Sequence, residues 1–313
     1  MTVNAPSAAE EITAAATASF DQCADPRLRE ILRALARHLH AFATEVHLTE
    51  AEWTAAITIL TRTGHITSET RQEFILWSDV MGLSMLVDAL AHAGSGLDHR
   101  GVTESTVLGP FWTPDAPLRA YGDSIAEDTH AGTPAWVSGR VLGPHGEPVA
   151  GAMLDIWQNG ADGLYTVQKP ETDESHLRGR FLTRADGSYA FLGVRPIPYT
   201  IPADGPVGAM LKATGRHPWR PAHIHMIATA PGYQRLQTHI FDSESQYLDS
   251  DAVFAVKRSL VREFVPRAAE DPDRPASVNE AWCSVENDVV LAPLGSWPIS
   301  PERPSTGSTT VRR

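Results

Sequence analysis

The sequence predicts a mainly β protein with an α-helical N-terminal part. Up to about Gly101 the apolar side chains recur at helical spacing, whereas beyond it short β-rich runs alternate with turn residues about every ten positions. Seven such runs favour a β-sandwich. We therefore expect a disordered tail over residues 1–20, a helical domain over residues 21–105, a β-sandwich domain over residues 106–300, and a disordered tail over residues 301–313.

Three helices are predicted in the N-terminal part. Asp25 followed by Pro26 is typical of a helix N-terminus, and the apolar residues between positions 28 and 42 then fall on one stripe. Residues 49–52 fit a capping box and open a second helix. A third helix is expected over residues 69–91.

The seven predicted strands are separated by turns rich in Gly, Pro and Asp. They span residues 136–141, 152–157, 180–183, 188–192, 222–228, 236–241 and 289–291. One further helix is expected over roughly residues 250–264.

His223 and His225 stand two residues apart within one of these strands. Side chains at positions i and i+2 of a strand point to the same face, so both imidazoles should converge. Imidazole binds zinc, copper, iron and nickel, which means that the pair indicates a metal without naming it. Cys23 and Cys283 are in no metal-binding spacing, so the remaining ligands should be oxygen atoms or a further histidine.

Two tyrosines are candidate oxygen ligands, because each follows the end of a predicted strand. Tyr165 follows the strand that ends at position 157, and Tyr199 follows the one that ends at position 192. Loops at strand ends aim their side chains at a common pocket in many proteins. A trivalent metal holds tyrosine as phenolate at neutral pH, although the ordinary pKa of the phenol is about 10. Taken alone, either tyrosine would more simply be a packing aromatic residue.

Several sequence runs, in the same order, resemble the intradiol ring-cleaving dioxygenases. They are residues 106–111, 154–165, 178–183, 204–208 and 215–225, and the resemblance covers residues 25–298. It implies one non-haem Fe(III) per subunit, held by Tyr165, Tyr199, His223 and His225. It also implies a homodimer joined through the N-terminal helices, whose interface is a candidate site for a phospholipid.

The same resemblance implies how the site would work. An aromatic diol binds as a chelating dianion, the iron activates this substrate toward O2, and the ring opens between the two hydroxyl-bearing carbons. Hydroxide and the phenolate of Tyr199 act as bases, while the permanent cation of Arg220 stabilises negative charge on the ring. Arg220 and Tyr199 are therefore the expected catalytic residues.

Within this family the chain is most similar to the branch that cleaves hydroxyquinol, benzene-1,2,4-triol, to 3-hydroxy-cis,cis-muconate, the enol form of maleylacetate. Catechol-cleaving members usually have glutamine where this chain has His239, and residues 74–88, 238–241 and 247–254 also match the hydroxyquinol branch. Asp79 is expected to accept a hydrogen bond from the third hydroxyl, which catechol lacks. The residues expected to contact the substrate are Leu76, Asp79, Leu108, Gly109, Pro110, Phe111, Pro198, Ile201, Pro202, Arg220, His239 and Val253.

Three other interpretations stay open from the sequence. A catechol or chlorocatechol 1,2-dioxygenase would share the iron site. Residues 138–152 also resemble transthyretin-like domains, which would make the chain a non-enzymatic binding module. A zinc hydrolase would use the histidine pair but gives two tyrosines no role. Colour separates these classes, because charge transfer from phenolate to Fe(III) would make the protein red-brown.

Composition argues against several partners. With Lys+Arg 26 and Asp+Glu 38 the formal net charge is −12, which disfavours a nucleic acid or an anionic membrane as the main partner. No run of about 18 apolar residues indicates a membrane span. Few cysteines and an N-terminus without the features of a signal peptide favour the cytoplasm.

Overall fold

The computed structural model describes residues 7–68, 71–93, 101–126, 132–169 and 175–294, without the side chains of residues 92 and 93. The chain forms two compact units whose boundary lies between His65 and Ile66. The boundary predicted from the sequence lies near residue 105 instead. The difference arises because the last two helices of the N-terminal part belong to the unit that contains the sheets. The predicted tail at residues 301–313 lies outside the described residues.

The first unit contains α1 (Ala8–Ala18), α2 (Pro26–Glu45) and α3, which runs over Glu50–Ile66. The predicted start of α2 is confirmed, because the Asp25 carboxylate accepts the N–H groups of the second and third residues after it at 2.8 and 3.2 Å. The predicted capping box of α3 is confirmed as well. There the N–H of Thr49 donates to Glu52 at 2.9 Å, and the N–H of Glu52 donates to the Thr49 hydroxyl at 3.3 Å.

Helix α1 corrects the disordered tail predicted over residues 1–20. The N–H of Glu10 donates to the Ser7 hydroxyl at 3.3 Å, and the N–H of Ser7 donates to the Glu10 carboxylate at 2.6 Å. This capping box satisfies two N–H groups that the first turn would otherwise leave free, and the alanine-rich sequence that follows has high helix propensity. The side chains of Thr13 and His40 then form a hydrogen bond of 2.9 Å between α1 and α2.

The predicted third helix is two helices, α4 (Glu73–Val80) and α5 (Leu83–Ala93), and the predicted start at residue 69 lies outside the described residues. Gly82 separates them at a φ of 75°, a left-handed conformation that disfavours any residue with a Cβ. In the described part of the chain, no single helix is long and apolar enough to cross a bilayer, and only α4 and α5 taken as one bent pair meet the length and composition.

Each of the seven predicted strands overlaps a strand of the structure. The strands are β1 (Pro134–Leu142), β2 (Met153–Gln158), β3 (Arg178–Leu182), β4 (Ser188–Val194), β5 (Tyr199–Thr200), β6 (Trp219–Arg220), β7 (His223–Thr229), β8 (Leu236–Asp242), β9 (Val261–Arg262), β10 (Val265–Arg267), β11 (Trp282–Glu286) and β12 (Val289–Val290). One helix, α6 (Pro206–Ala213), lies between β5 and β6.

Two five-stranded sheets share one core. The order in the first is β3-β2-β7-β8-β9, and in the second it is β10-β11-β1-β12, with β4 also paired to β1. Strands β5 and β6 form a separate two-stranded sheet. One buried cluster combines Ile156 and Ile224 of the first sheet with Val137 and Phe191 of the second. The predicted fold class, N-terminal helices followed by packed β-sheets, is confirmed.

The helix predicted over residues 250–264 is wrong. The segment instead contains turns, a short 3-10 helix over Arg258–Leu260, and β9, which pairs in parallel with β8. The carboxylate of Asp251 accepts the N–H groups of Val253 at 3.2 Å and Ala255 at 3.0 Å. Phe254 also has a φ of 58°, a left-handed conformation that an α-helix does not contain, so the helix cannot run through this segment.

Candidate functional site

The predicted ligands come from three places in the second unit. His223 and His225 lie on β7, which is paired on one side with β2 and on the other with β8. Tyr199 lies on β5 directly opposite Arg220 of β6. Tyr165 follows the loop after β2 and begins a short 3-10 helix. Strand pairing therefore fixes the backbone of all but Tyr165.

The two imidazoles converge as the strand spacing predicts. Their Nε2 atoms are 3.1 Å apart, and both side chains are buried. The Nδ1–H of His223 donates to the carbonyl of Pro221 at 2.7 Å. This hydrogen bond fixes the tautomer, so that the Nε2 lone pair of His223 faces the site.

Both tyrosines reach the same place. The Tyr165 hydroxyl lies 2.9 Å from Nε2 of His225. The rings of Tyr165 and Tyr199 meet edge to face with centroids 5.2 Å apart, and the Tyr199 ring lies 5.5 Å from that of His223. The structure thus brings together two phenols and two imidazoles that are up to 60 positions apart in the sequence.

Burial governs the protonation of this group. Burial lowers the pKa of His223, His225 and His239 well below the ordinary value, and the positive charge of Arg220 adds to the effect, so the imidazoles are neutral at pH 7. Burial, followed by the neighbouring Tyr199, raises the pKa of the Tyr165 phenol well above its ordinary value. A phenolate would form here only beside a strong positive charge.

Arg220 borders the ligand group and is itself buried. Its Nη1 donates to the Tyr199 hydroxyl at 3.1 Å and lies 3.3 Å from Nε2 of His223. On its other edge, Nε donates to the carboxylate of Asp251 at 3.2 Å. Burial alone would lower the pKa of Arg220, but the charge and hydrogen bond of Asp251, together with the neighbouring Tyr199 and Tyr165, outweigh this and raise it. A fixed positive charge therefore stands beside Tyr199.

His239 faces the histidine pair from β8, where it is the register partner of His225. Its ring stacks on that of His223 at 4.6 Å and meets that of His225 edge to face at 4.2 Å. Ligand atoms of the three histidines lie within 4.8 Å of one another, so this cluster could bind a metal ion. Neutral imidazole nitrogens and phenol oxygens form a donor set that suits a transition metal, and the residues present fit such an ion.

Part of the predicted substrate pocket packs in one buried cluster. Leu76 of α4, Ile201 and Val253 belong to it, although they come from distant parts of the chain. Pro198 and Pro202, both half-buried, stand just before and two residues after β5. Their rings fix φ and so limit the conformations open to the segment that carries Tyr199.

A second cluster contains the aromatic part of the predicted pocket. Phe111 stacks on Tyr165 with ring centroids 4.5 Å apart, and Tyr199 and the half-buried Leu108 belong to the same cluster. Pro110 is half-buried beside them in sequence. The substrate-facing surface suggested by these residues is therefore largely apolar, as in most small-molecule sites.

Asp79 lies in the last turn of α4 and is only 4% exposed. Burial raises the pKa of its carboxyl group, a hydrogen bond from Ser84 and the charge of Arg220 oppose this, and Asp251 adds to it. A carboxylate at a helix C-terminus interacts unfavourably with the helix dipole, and its burial is costly. Helix stability therefore gives no reason for a carboxylate at this position.

Sequence reasoning missed residues that hold the predicted site residues in place. The Trp157 indole stacks on His225 at 4.6 Å, and the two face each other across β2 and β7. The buried Arg178 donates to the carbonyl of Phe111 at 2.7 Å and to the hydroxyl of Thr166 at 2.9 Å. It thereby joins the segment beside Tyr165 to the pocket. Only the fold brings these partners together, so no local signal identifies them.

Replacing Gly109 by alanine is expected to disturb the site. Gly109 has a φ of 76°, and a Cβ there would lie 3.3 Å from Cε1 of His225. The left-handed conformation costs an alanine about 1–2 kcal/mol of unfolding free energy, and the contact would push the imidazole. We expect lower stability and also a lower metal content and turnover, measured by denaturant unfolding, metal analysis and oxygen uptake.

Gly146 provides the matched control. It has a φ of 84° in an exposed turn, and a Cβ there would meet nothing within 4 Å. Gly146→Ala should lose similar stability and keep the turnover of the unaltered protein. If Gly109→Ala affects turnover no more than Gly146→Ala does, the contact with His225 has no functional consequence.

Comparison with known proteins gives consistent matches over both units. The model of a family described as "Dioxygenase" matches residues 107–293, and one described as "Catechol dioxygenase N terminus" matches residues 25–96. The hydroxyquinol 1,2-dioxygenase of Nocardioides simplex is 47% identical over 276 residues, which is 88% of this chain and 92% of that protein. The 6-chlorohydroxyquinol 1,2-dioxygenase of Cupriavidus pinatubonensis is 47% identical over 81% of this chain and 90% of that protein. The solved hydroxyquinol 1,2-dioxygenase from Pseudomonas putida DLL-E4 has 44% identity and a TM-score of 0.84, covering 91% of this chain and 98% of that chain.

Proposed function

This chain belongs to the family of intradiol ring-cleavage dioxygenases, and from that membership we propose that it opens the ring of hydroxyquinol with O2. Cleavage lies between the two adjacent hydroxyl-bearing carbons, and both oxygen atoms enter the product, 3-hydroxy-cis,cis-muconate. The observation that carries the proposal is the meeting of two phenols and two imidazoles beside a buried arginine. Hydroxyquinol is favoured as the substrate because relatives at 47% identity are named for it.

We propose that the metal is one non-haem Fe(III) per subunit, held by the hydroxyl oxygens of Tyr165 and Tyr199 and the Nε2 atoms of His223 and His225. The fixed tautomer of His223 and the neutral, buried imidazoles support this ligand set. When bound, the ion would supply Lewis acidity that favours the deprotonated diol and would keep the phenols ionised.

The chain's own residues then have distinct roles. Tyr199 is the base, and its phenolate oxygen accepts a proton from a hydroxyl of the diol. The hydrogen bond from Arg220 Nη1 stabilises the negative charge on this oxygen before the proton arrives. Arg220 also stabilises negative charge that develops on the ring. The apolar surface around Phe111 and Leu76 excludes water from the reacting ring. His239 supports the two ligand imidazoles and borders the substrate.

Asp79 is proposed to accept a hydrogen bond from the third hydroxyl of hydroxyquinol. In Asp79→Ala, kcat/KM for hydroxyquinol should fall roughly 10- to 100-fold, because a hydrogen bond to a charged group is lost. Turnover of catechol, which lacks that hydroxyl, should change far less. Steady-state oxygen uptake with both substrates measures the ratio, and an unchanged preference would remove Asp79 from the specificity argument.

Oxygen uptake with hydroxyquinol and catechol side by side tests the proposed function. We expect faster turnover of hydroxyquinol, two labelled oxygen atoms in the product from ¹⁸O2, and a red-brown protein. Faster turnover of catechol would favour the catechol 1,2-dioxygenase alternative instead. A colourless protein without oxygen uptake would support the zinc or non-enzymatic interpretations and contradict the proposal.

We also propose that the chain forms a homodimer through its N-terminal helices. None of the residues of α2 is buried, and its apolar stripe, including Leu35, Leu39 and Phe42, is about half exposed. Such a contiguous apolar stripe is typical of an interface. Light scattering at micromolar concentration distinguishes a dimer from a monomer, and mass spectrometry of an organic extract would detect the phospholipid.

A cytoplasmic location is proposed because both cysteines are free thiols.

A further inference from the structure

The catalytic arginine of the proposed site forms a buried ion pair with an aspartate outside the ligand group. Arg220 and Asp251 have side chains that are only 3% and 2% exposed. Nε of Arg220 donates to Oδ1 of Asp251 at 3.2 Å, and Nη2 donates to Oδ2 at 3.4 Å. The carboxylate therefore forms a bidentate pair with the Nε and Nη2 edge of the planar guanidinium.

The remaining lone pairs of Asp251 accept hydrogen bonds from the backbone of the segment that follows it. This segment carries Val253 and is called the pocket loop. Oδ1 accepts the N–H of Val253 at 3.2 Å, and Oδ2 accepts the N–H of Ala255 at 3.0 Å. The neighbouring carbonyl of Ala252 accepts a hydrogen bond from Arg216 at 2.9 Å, which fixes the loop from its other side. With four donors, the carboxylate has no freedom to turn away from Arg220.

The bidentate pairing with Asp251 determines the direction of the Nη1 atom of Arg220. A guanidinium is rigid, so fixing the Nε and Nη2 edge fixes the direction of Nη1. In the structure Nη1 points to the Tyr199 hydroxyl at 3.1 Å. The pairing of β5 with β6 places the two backbones opposite each other, but it does not select a rotamer for the arginine.

We propose that Asp251 is a positioning residue, which holds Arg220 Nη1 against the Tyr199 hydroxyl and couples this contact to the pocket loop that carries Val253. The role rests on the proposed function, because it gives Arg220 its catalytic orientation. Stability does not account for the pair, since a buried ion pair is often no more stable than apolar residues of similar volume.

Asp251→Asn tests this role, and Asp242→Asn is its matched control. Asp242 has a side chain that is 5% exposed, and it also accepts a hydrogen bond from an arginine Nε, that of Arg195 at 2.7 Å. It also accepts the N–H of the residue two positions later, Glu244, at 3.0 Å. Both variants therefore remove the charge of a buried aspartate that accepts a hydrogen bond from an arginine Nε, but only Asp251 contacts Arg220.

The expected result is a fall in kcat of about 10- to 100-fold for Asp251→Asn, with a smaller change in KM, because a misplaced catalytic group costs mainly turnover. Asp242→Asn should keep the kcat of the unaltered protein. The Nε–H signal of Arg220 in ¹⁵N NMR spectra of the metal-free protein, assigned with Arg220→Gln, should shift and broaden in Asp251→Asn and stay in place in Asp242→Asn. Equal kcat in both variants, or an unchanged Arg220 signal, would overturn the proposal.

A double variant keeps the test valid if Asp251→Asn fails to fold, because removing both charges avoids a lone buried cation. If Asp251 acts through Arg220, the kcat of the double variant Arg220→Gln with Asp251→Asn should be no lower than the kcat of Arg220→Gln alone. A further large fall would contradict the proposed role. The NMR signal separates this inference from the function itself, because it reports on the arginine whether or not the unaltered protein takes up oxygen with hydroxyquinol.

Discussion

Replacing His225 by glutamine is expected to remove the proposed iron and to abolish ring cleavage. His225 Nε2 lies 2.9 Å from the Tyr165 hydroxyl and 3.1 Å from Nε2 of His223, so it is central to the proposed ligand set. Residues that only orient a ligand already contribute about 10- to 100-fold to metal affinity, and the loss of a ligand should exceed this. Iron per chain by elemental analysis, the visible absorption band and oxygen uptake should all fall together.

His145→Gln serves as the control for this prediction, because His145 is exposed in a turn remote in sequence from β7. It should keep both iron and colour. A His225→Gln protein that retains stoichiometric iron would show that a different set of residues binds the metal. The substitute ligand expected in that case is His239, which lies beside the pair, and the double variant with His239→Gln would then be measured.

Replacing Arg220 by glutamine should lower kcat by about 10²- to 10³-fold, the usual cost of removing one preorganised donor to developing charge. The iron should remain bound, because Arg220 donates to Tyr199 but is not one of the proposed ligands. Lysine should not restore activity. Its single ammonium group cannot both pair with the Asp251 carboxylate along one edge and donate to Tyr199 from the other.

Arg195→Gln is the control, because Arg195 also pairs through its Nε with a buried aspartate, Asp242. This pair contains none of the proposed site residues. Rapid mixing under single-turnover conditions separates substrate binding from ring opening, and the effect of Arg220→Gln should lie in the second step. If the variant instead loses iron in proportion to activity, then the role of Arg220 is to retain the metal.

Much of the fold can be predicted from the sequence, because helix caps and alternating apolar runs are patterns of neighbouring residues. Proline after Asp25, the capping box at Thr49 and alternating apolar runs each predict an element from a few neighbouring residues, and the structure has those elements. The histidine pair is local in the same sense, because the period of a strand places both side chains on one face. The places of the two tyrosines after strand ends make them candidate ligands, but only the family resemblance assigns both of them to the histidine pair.

The failures have a common cause in contacts between distant residues. The sequence predicts a helix over residues 250–264, but Asp251 binds Arg220 and the following backbone instead. No residue near Asp251 in the sequence indicates its ion pair, because Arg220 lies 31 positions away. Gly82 interrupts a helix that periodicity alone would continue. Such breaks and ion pairs depend on residues that the fold brings together.

The position of β7 between two paired strands has a consequence for handling the protein. Its amides are hydrogen-bonded to β2 on one side and β8 on the other. They should therefore exchange with deuterium only when the whole unit opens, whether or not a metal is bound. A chelator should remove the ion from the proposed metal site while the sheet around β7 stays folded. The metal-free protein could then be loaded again with iron, or with a spectroscopically silent ion such as gallium.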